Sequence, residues 1–198
     1  MKFSLRLEPI KLGKYFVFLL IGFVLVTDFY SNHIFSIENL ISLKEFAKSY
    51  YLSYPYFTRV IFCTVYILCV SAFIPVATLL TILSGVIFGS LEGTILALSS
   101  ASVGATISLF FVRSFFYPYF SNYQSKRFQK FSENFKAYGS TYLFAARMAP
   151  IFPFFLVNIF MALMPIKILQ FFLVSFIGMA PMTFIFVYTG TVLDKINS

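Results

Sequence analysis

A chain of 198 residues that is 60% hydrophobic and only 11% charged, with a mean hydropathy of +0.87, is not a soluble domain, in which about a quarter of the residues would be charged. Its length suits one membrane domain and leaves no room for a separate soluble catalytic domain. The net charge of +8 does not point to nucleic acid, because the cations lie in two flanking segments. Between Val60 and Val112, Glu92 is the sole charged residue, a pattern suited to anionic membrane surfaces.

The N-terminal residues Met1 to Lys14 carry Lys2, Arg6, Lys11 and Lys14 against Glu8, which the positive-inside rule places in the cytoplasm. Tyr15 to Val26 is expected to span as an uncleaved anchor, since Thr27-Asp28-Phe29-Tyr30 is no small-residue cleavage site. From Ser31 to Tyr54 an interfacial helix on the outer side is expected, with Ser36 as cap and Ile37, Leu40, Ile41 and Ala47 on one face. His33 lies alone there, without Cys or carboxylate neighbours.

Tyr56 to Gly89 has the apolar length for two tight spans, but Pro75 breaks it near the middle, flanked by Ser71, Thr78, Thr81 and Ser84. It reads as a hairpin that returns to its own side. Cys63 and Cys69 on one of its arms point about 120° apart on a helix and cannot pair with each other. Gly85, Gly89 and Gly93 form a GxxxGxxxG run, a close-packing device assigned to the hairpin. The first long uninterrupted span then runs from Gly93 to Arg113, with Gly104 among small residues. Arg113 is expected at the cytoplasmic interface, near headgroups.

Beyond it, Pro118 precedes Ser121-Asn122-Tyr123-Gln124, which has capping-box spacing. Phe120, Phe128, Phe131, Phe135 and Tyr138 fall within roughly an 80° arc. An amphipathic helix over 120–138, lying on the bilayer and closed by Gly139, is expected. In Thr141 to Pro165 the chain holds Arg147, then Pro150 and Pro153. Two prolines three apart are incompatible with a helix interior, so the helix carrying Arg147 stops near Ala149. The arms on either side are too short for two complete spans of roughly 20 residues each. This second broken hairpin should line something wet, because non-helical backbone in hydrocarbon needs protein or water around it. Ile166 to Val192 is the last span, with Gly178 and Pro181 as an expected kink.

If Tyr56 to Gly89 returns to its own side, both basic segments fall in the cytoplasm; two true spans over that stretch satisfy the rule equally well. The hairpin is preferred because a shift of 74 residues lays Gly104 on Gly178 and brings Pro75 within one position of Pro150. The chain thus reads as an all-α integral membrane protein. It combines an inverted repeat of two re-entrant hairpins (56–89 and 141–164) with spans at 93–113 and 166–192, an amphipathic interfacial helix and an N-terminal anchor segment over 1–55.

These residues together resemble the DedA family of membrane proteins, also called the SNARE-associated or VTT-domain family. The resemblance is carried by Pro75, Gly85-Val-Ile-Phe-Gly89 with Gly93, Gly104 leading to Phe111-Val112-Arg113, Arg147-Met-Ala-Pro150-Ile-Phe-Pro153, Asn158, Pro165, Gly178 and Pro181. Two positions depart from the family pattern: Ala162 stands where glycine often follows the asparagine, and acidic residues around the first hairpin tip are missing, leaving Glu92 as the remaining acidic candidate. The resemblance implies movement of phospholipid or polyprenyl-phosphate carriers between leaflets, in the cell membrane, specifically a bacterial inner membrane, with membrane lipids as partners and a homodimer left open.

A lipid phosphate crossing hydrocarbon needs a cationic partner, and Arg147 can donate a bidentate pair of hydrogen bonds to it. Asn158, Thr78, Thr81 and Ser84 are candidates to supply uncharged hydrogen bonds along the same path, with Glu92 as the acidic candidate, between tips at Pro75, Pro150 and Pro153. Two structural roles compete for Arg147: capping carbonyls freed in its own hairpin, or pairing with Glu92. No HExxH, GxSxG or GK[ST] loop and no paired carboxylates occur in apolar surroundings, so neither an enzyme, a metal site nor a cofactor is expected. A proton- or ion-coupled exporter of small solutes is the alternative, and it requires a midplane carboxylate that the sequence does not supply.

Overall fold

The structure, a computed structural model, describes residues 37–121, 138–149 and 153–196. The expected anchor with Ser36, most of the expected amphipathic helix, and Pro150 lie outside the described residues. The chain divides into two compact units, Met1–Glu45 and Phe46–Ser198, and the second holds the membrane-length helices. The regular structure of the described residues is all helical: α1 Ile37–Ser53, α2 Pro55–Ser71, α3 Ala77–Phe88, α4 Ser90–Ser121, α5 over 138–148, α6 Phe154–Ala162 and α7 Ile168–Ile196. Two of these contain apolar stretches long enough to cross a membrane, Ser90–Ser114 and Ile168–Lys195.

The other apolar helices are short. With 17 residues in α2, 12 in α3 and 9 in α6, they reach about 25, 18 and 14 Å, below the ~30 Å of hydrocarbon. Pro55 opens α2 in the first turn, where its missing N–H is no loss. The helix ends as a Schellman motif, the Ile74 N–H donating to Cys69 O at 2.9 Å and the Phe73 N–H to Val70 O at 3.2 Å. Such a cap needs a left-handed residue, and here it is Phe73, at φ 60°, in a conformation that costs an L-residue about 1–2 kcal/mol. Pro75 then prevents the helix from resuming until α3. The proline break expected near the middle of Tyr56 to Gly89 is therefore a helix–turn–helix.

Helix α4 is the centre of the domain, packing against α2, α3, α6 and α7, and α3 also packs along α7. The α3–α7 contact is close because a Cβ on Gly85 would overlap the Val187 carbonyl and one on Gly190 the Ile82 carbonyl. The GxxxGxxxG run thus divides its labour. Gly85 lets α3 meet α7, while a Cβ on Gly93 would stand 2.6 Å from the Ser84 carbonyl. Gly89 has open space around it but joins α3 to α4 at φ 78°, ψ −178°, a region essentially restricted to glycine. Its role is conformational, not the packing expected of it.

Two further boundaries differ from expectation. Helix α4 does not stop at Arg113 but continues to Ser121. Gly139 does not close a helix, since α5 runs through it. Pro181 lies inside α7, and Gly178 serves there as a packing position: a Cβ on it would lie 2.9 Å from Arg147 Cβ.

Polar contacts fix which ends lie together. At the start of α4, Glu92 accepts from Arg59 Nε at 2.5 Å and from Tyr51 at 3.2 Å. Lys48 meets Asp194 of α7 at 2.7 Å. Further along α4, Arg113 donates to the carbonyls of Ala162, Met164 and Ile166, at 3.3, 3.0 and 2.9 Å. The α2–turn–α3 unit is thus based at the Glu92 end of α4. The α5–α6 unit is based toward the Arg113 end, where Gln170 also donates to Ser140. Glu92 and Arg113 are separated by roughly 30 Å of helix, about one hydrocarbon thickness.

Candidate functional site

Arg147 stands near the end of α5, just before the proline-bearing connection, and only 6% of it is exposed. Gly178 lets its Cβ approach α7, and from there the guanidinium meets its neutral partners. Nε donates to Ser175 Oγ at 3.2 Å and Nη2 to Asn158 Oδ1 at 2.6 Å. Its flat face rests 4.6 Å from the centre of the Phe154 ring and 5.4 Å from that of Phe171. Asn158, itself fully buried, donates from Nδ2 to Ser108 Oγ at 3.0 Å, and Ser108 donates to the Ala105 carbonyl at 2.9 Å. These contacts offset part of the several kcal/mol that desolvating a guanidinium costs. The offset is incomplete, since Nη1 is buried and has no hydrogen-bond partner among the described residues.

Arg147 also lines a cavity of about 370 Å³. The first unit contributes Tyr66, Ala77, Thr78 and Thr81; the second contributes Ala146, Pro153, Phe154 and Val157, and the walls are completed by Ala101 of α4 and Met179 and Thr183 of α7. Among these lining residues Arg147 is the sole charge. Tyr66 and Thr81 share a hydrogen bond of 2.8 Å, and Thr81 also reaches the Ala77 carbonyl at 2.8 Å. Their hydroxyls are thus satisfied within the first unit. The guanidinium is not.

The expected site residues separate into groups. Arg147, Thr78, Thr81 and Pro153 come together around the cavity, and Asn158 stands behind Arg147 as its support. Pro75 belongs to the turn and is not among the lining residues. Glu92 is held by Arg59 and Tyr51, so the pairing of Arg147 with Glu92 is not formed. The capping of hairpin carbonyls considered for Arg147 is performed by Arg113, at the end of α6. The segment after Ala162 leaves helix-end carbonyls that need donors, and Arg113 supplies them from the end of the membrane-length stretch Ser90–Ser114. Gly104 matches Gly178: a Cβ on it would lie 2.8 Å from Val70 Cβ.

Sequence reasoning missed Ser108, Ser175 and the two phenylalanines around Arg147. The serines carried a weak signal as polar residues within three or four places of Gly104 and Gly178 in otherwise apolar spans; the rings carried none, in a chain with 29 phenylalanines. No group of three His, Cys, Asp or Glu capable of holding a metal occurs among the described residues.

The VTT domain matches residues 73–192, a stretch that contains most of the first turn, Arg147, the whole of α4, all but the last turn of α7 and most of the cavity lining. The Transmembrane protein 41 homolog of Caenorhabditis elegans is 31% identical over 140 residues, covering 67% of this chain and 55% of the relative. The chain therefore spans about half the length of that curated relative. No solved structure matches this chain. With the domain match extending over more than half of the sequence, and with helices suited to a bilayer, this chain belongs to the VTT-domain, or DedA/SNARE-associated, family of membrane proteins.

Proposed function

We propose that this protein moves phosphate-bearing lipids between the two leaflets of its membrane, as a scramblase or flippase and not as an enzyme. The observation that carries the reading is the buried guanidinium of Arg147, which keeps one nitrogen unpartnered beside a cavity walled by both helix–turn–helix units. A buried cation of this kind is retained against a large desolvation penalty, and in membrane domains such residues mark substrate paths. A phosphodiester oxygen supplies the missing acceptor through a charge-assisted hydrogen bond. Thr78 and Thr183 add neutral polar surface, and the acyl chains remain in the bilayer.

On this reading the two units are re-entrant. Their arms are shorter than the hydrocarbon layer, they are based toward opposite ends of α4, and residues near both tips line one cavity, which supports entry from opposite membrane faces. The same reading keeps the protein multi-pass in a cell membrane, a bacterial inner membrane, with a cytoplasmic N-terminus and the Glu92 end outside. A cysteine replacing Lys126 should label from the cytoplasmic side only.

The deciding experiment uses purified protein in liposomes with a fluorescent phospholipid and an impermeant quencher. The expected result is loss of the protected inner-leaflet fraction. A fraction that stays fully protected would remove the lipid-transport reading, and Arg147→Ala with parental rates would remove the role of Arg147 alone.

A further inference from the structure

The partner that holds Arg147 is an amide, at a place where a carboxylate would make a stronger pair. Its orientation is forced from the far end of a short chain of hydrogen bonds. The Ala105 carbonyl only accepts, so Ser108 donates to it, and Ser108 Oγ is then the acceptor for Asn158 Nδ2. The amide oxygen is thereby turned toward Arg147 Nη2. The guanidinium is oriented without being neutralised. Glu92 and Asp194 are bonded to Arg59 and Lys48, and no Asp or Glu is among the cavity-lining residues.

Resting on the lipid-transport reading above, we propose that Asn158 makes the cavity select headgroups of net negative charge over zwitterionic ones. Both kinds bring a phosphate for Nη1. A zwitterionic headgroup also brings an ammonium, which must leave water with no acid in the described lining to receive it and with a fixed cation beside it. Like charges brought together in this way disfavour a ligand strongly, and the discrimination comes from repulsion as much as from attraction. Asn158 is thus a specificity-determining residue that acts through Arg147. Replacing it with aspartate keeps the shape and cancels the net charge of the site.

The test compares fluorescent phosphatidylglycerol and phosphatidylcholine in otherwise identical liposomes, for the parent and for Asn158→Asp. The parent is expected to move phosphatidylglycerol roughly tenfold faster, and the variant to bring that ratio toward one, mainly through slower phosphatidylglycerol. Equal parental rates for the two lipids, or an unchanged ratio in the variant, overturn the proposal while leaving lipid transport standing. If the parent moves neither lipid, the transport reading itself has failed. A measurement independent of the variant's folding is the melting shift of detergent-solubilised parent with short-chain phosphatidylglycerol, phosphatidylcholine or inorganic phosphate. A larger rise with phosphatidylglycerol is expected. Equal shifts from the two lipids sink the selectivity, and an equal shift from inorganic phosphate reassigns the cavity to a soluble anion.

Discussion

The two helix–turn–helix units use one packing device and differ in their chemistry. In the first, α2 lies close to α4 because Gly104 leaves room for Val70; in the second, α5 lies close to α7 because Gly178 leaves room for Phe144 and Arg147. Phe144 follows Val70 by the same 74 places that separate the two glycines. At that offset Arg147 corresponds to Phe73 and Asn158 to Ser84. The first tip is neutral, and its hydroxyls bond to one another and to the Ala77 carbonyl. The second holds a buried cation with an unused donor. The scaffold therefore repeats while the polarity does not, so under the proposed function the first unit acts as a wall and the second as the binding element.

The strongest way to break that comparison is to detach the wall. Gly85→Val or Gly190→Val drives a side chain into the opposing backbone, which cannot retreat as a flexible side chain would, and about 3 kcal/mol of stability should be lost. Thermal unfolding in detergent measures it. Next comes Arg147→Met, which should lower lipid movement about 10- to 100-fold, the worth of a charged hydrogen bond. Its melting temperature should stay level or rise, because an apolar chain of similar volume removes a buried charge. Loss of transport together with loss of stability would point instead to a structural arginine.

Gly104→Ala and Gly178→Ala sharpen the symmetry. Each added Cβ meets another Cβ at 2.8 or 2.9 Å, so each should cost about 1–2 kcal/mol, and the two values should agree within ~1 kcal/mol if the units are packed equivalently. The smallest effect belongs to the neutral tip. Tyr66→Phe removes the hydroxyl that meets Thr81, which keeps its own bond to the Ala77 carbonyl. It should cost about 1 kcal/mol and change transport by less than about tenfold. A complete loss of transport in this variant would end the description of the first unit as a wall.

Much of this arrangement is legible in the sequence. Pro75 announced the first turn, because a ring without an N–H cannot sit in a helix interior. Arg147 stood out as a lone cation in apolar surroundings, where such a residue is rarely there for packing, and it is buried beside the cavity. The clamp formed by Arg113 was not legible, for a definable reason. Its partners are the carbonyls of Ala162, Met164 and Ile166, and a backbone acceptor 49 or more residues away leaves no trace in side-chain identities. The partners of Glu92 were equally hidden: a single acid in a long neutral stretch looks available until Arg59 and Tyr51 are seen beside it.

The sequence by itself determined the class of solvent, the two uninterrupted spans, the breaks between short arms and the identity of the buried cation. These depend on hydropathy, on helix length and on the geometry of proline and glycine, all of which act locally along the chain. Only the tertiary structure decided what each polar group touches: that Asn158 faces Arg147, that Ser108 turns the amide, and that Arg113 closes a helix end. Such pairings join segments distant in the chain, and they follow from where the glycines let backbones meet, a property of the packed whole that no single stretch of residues encodes.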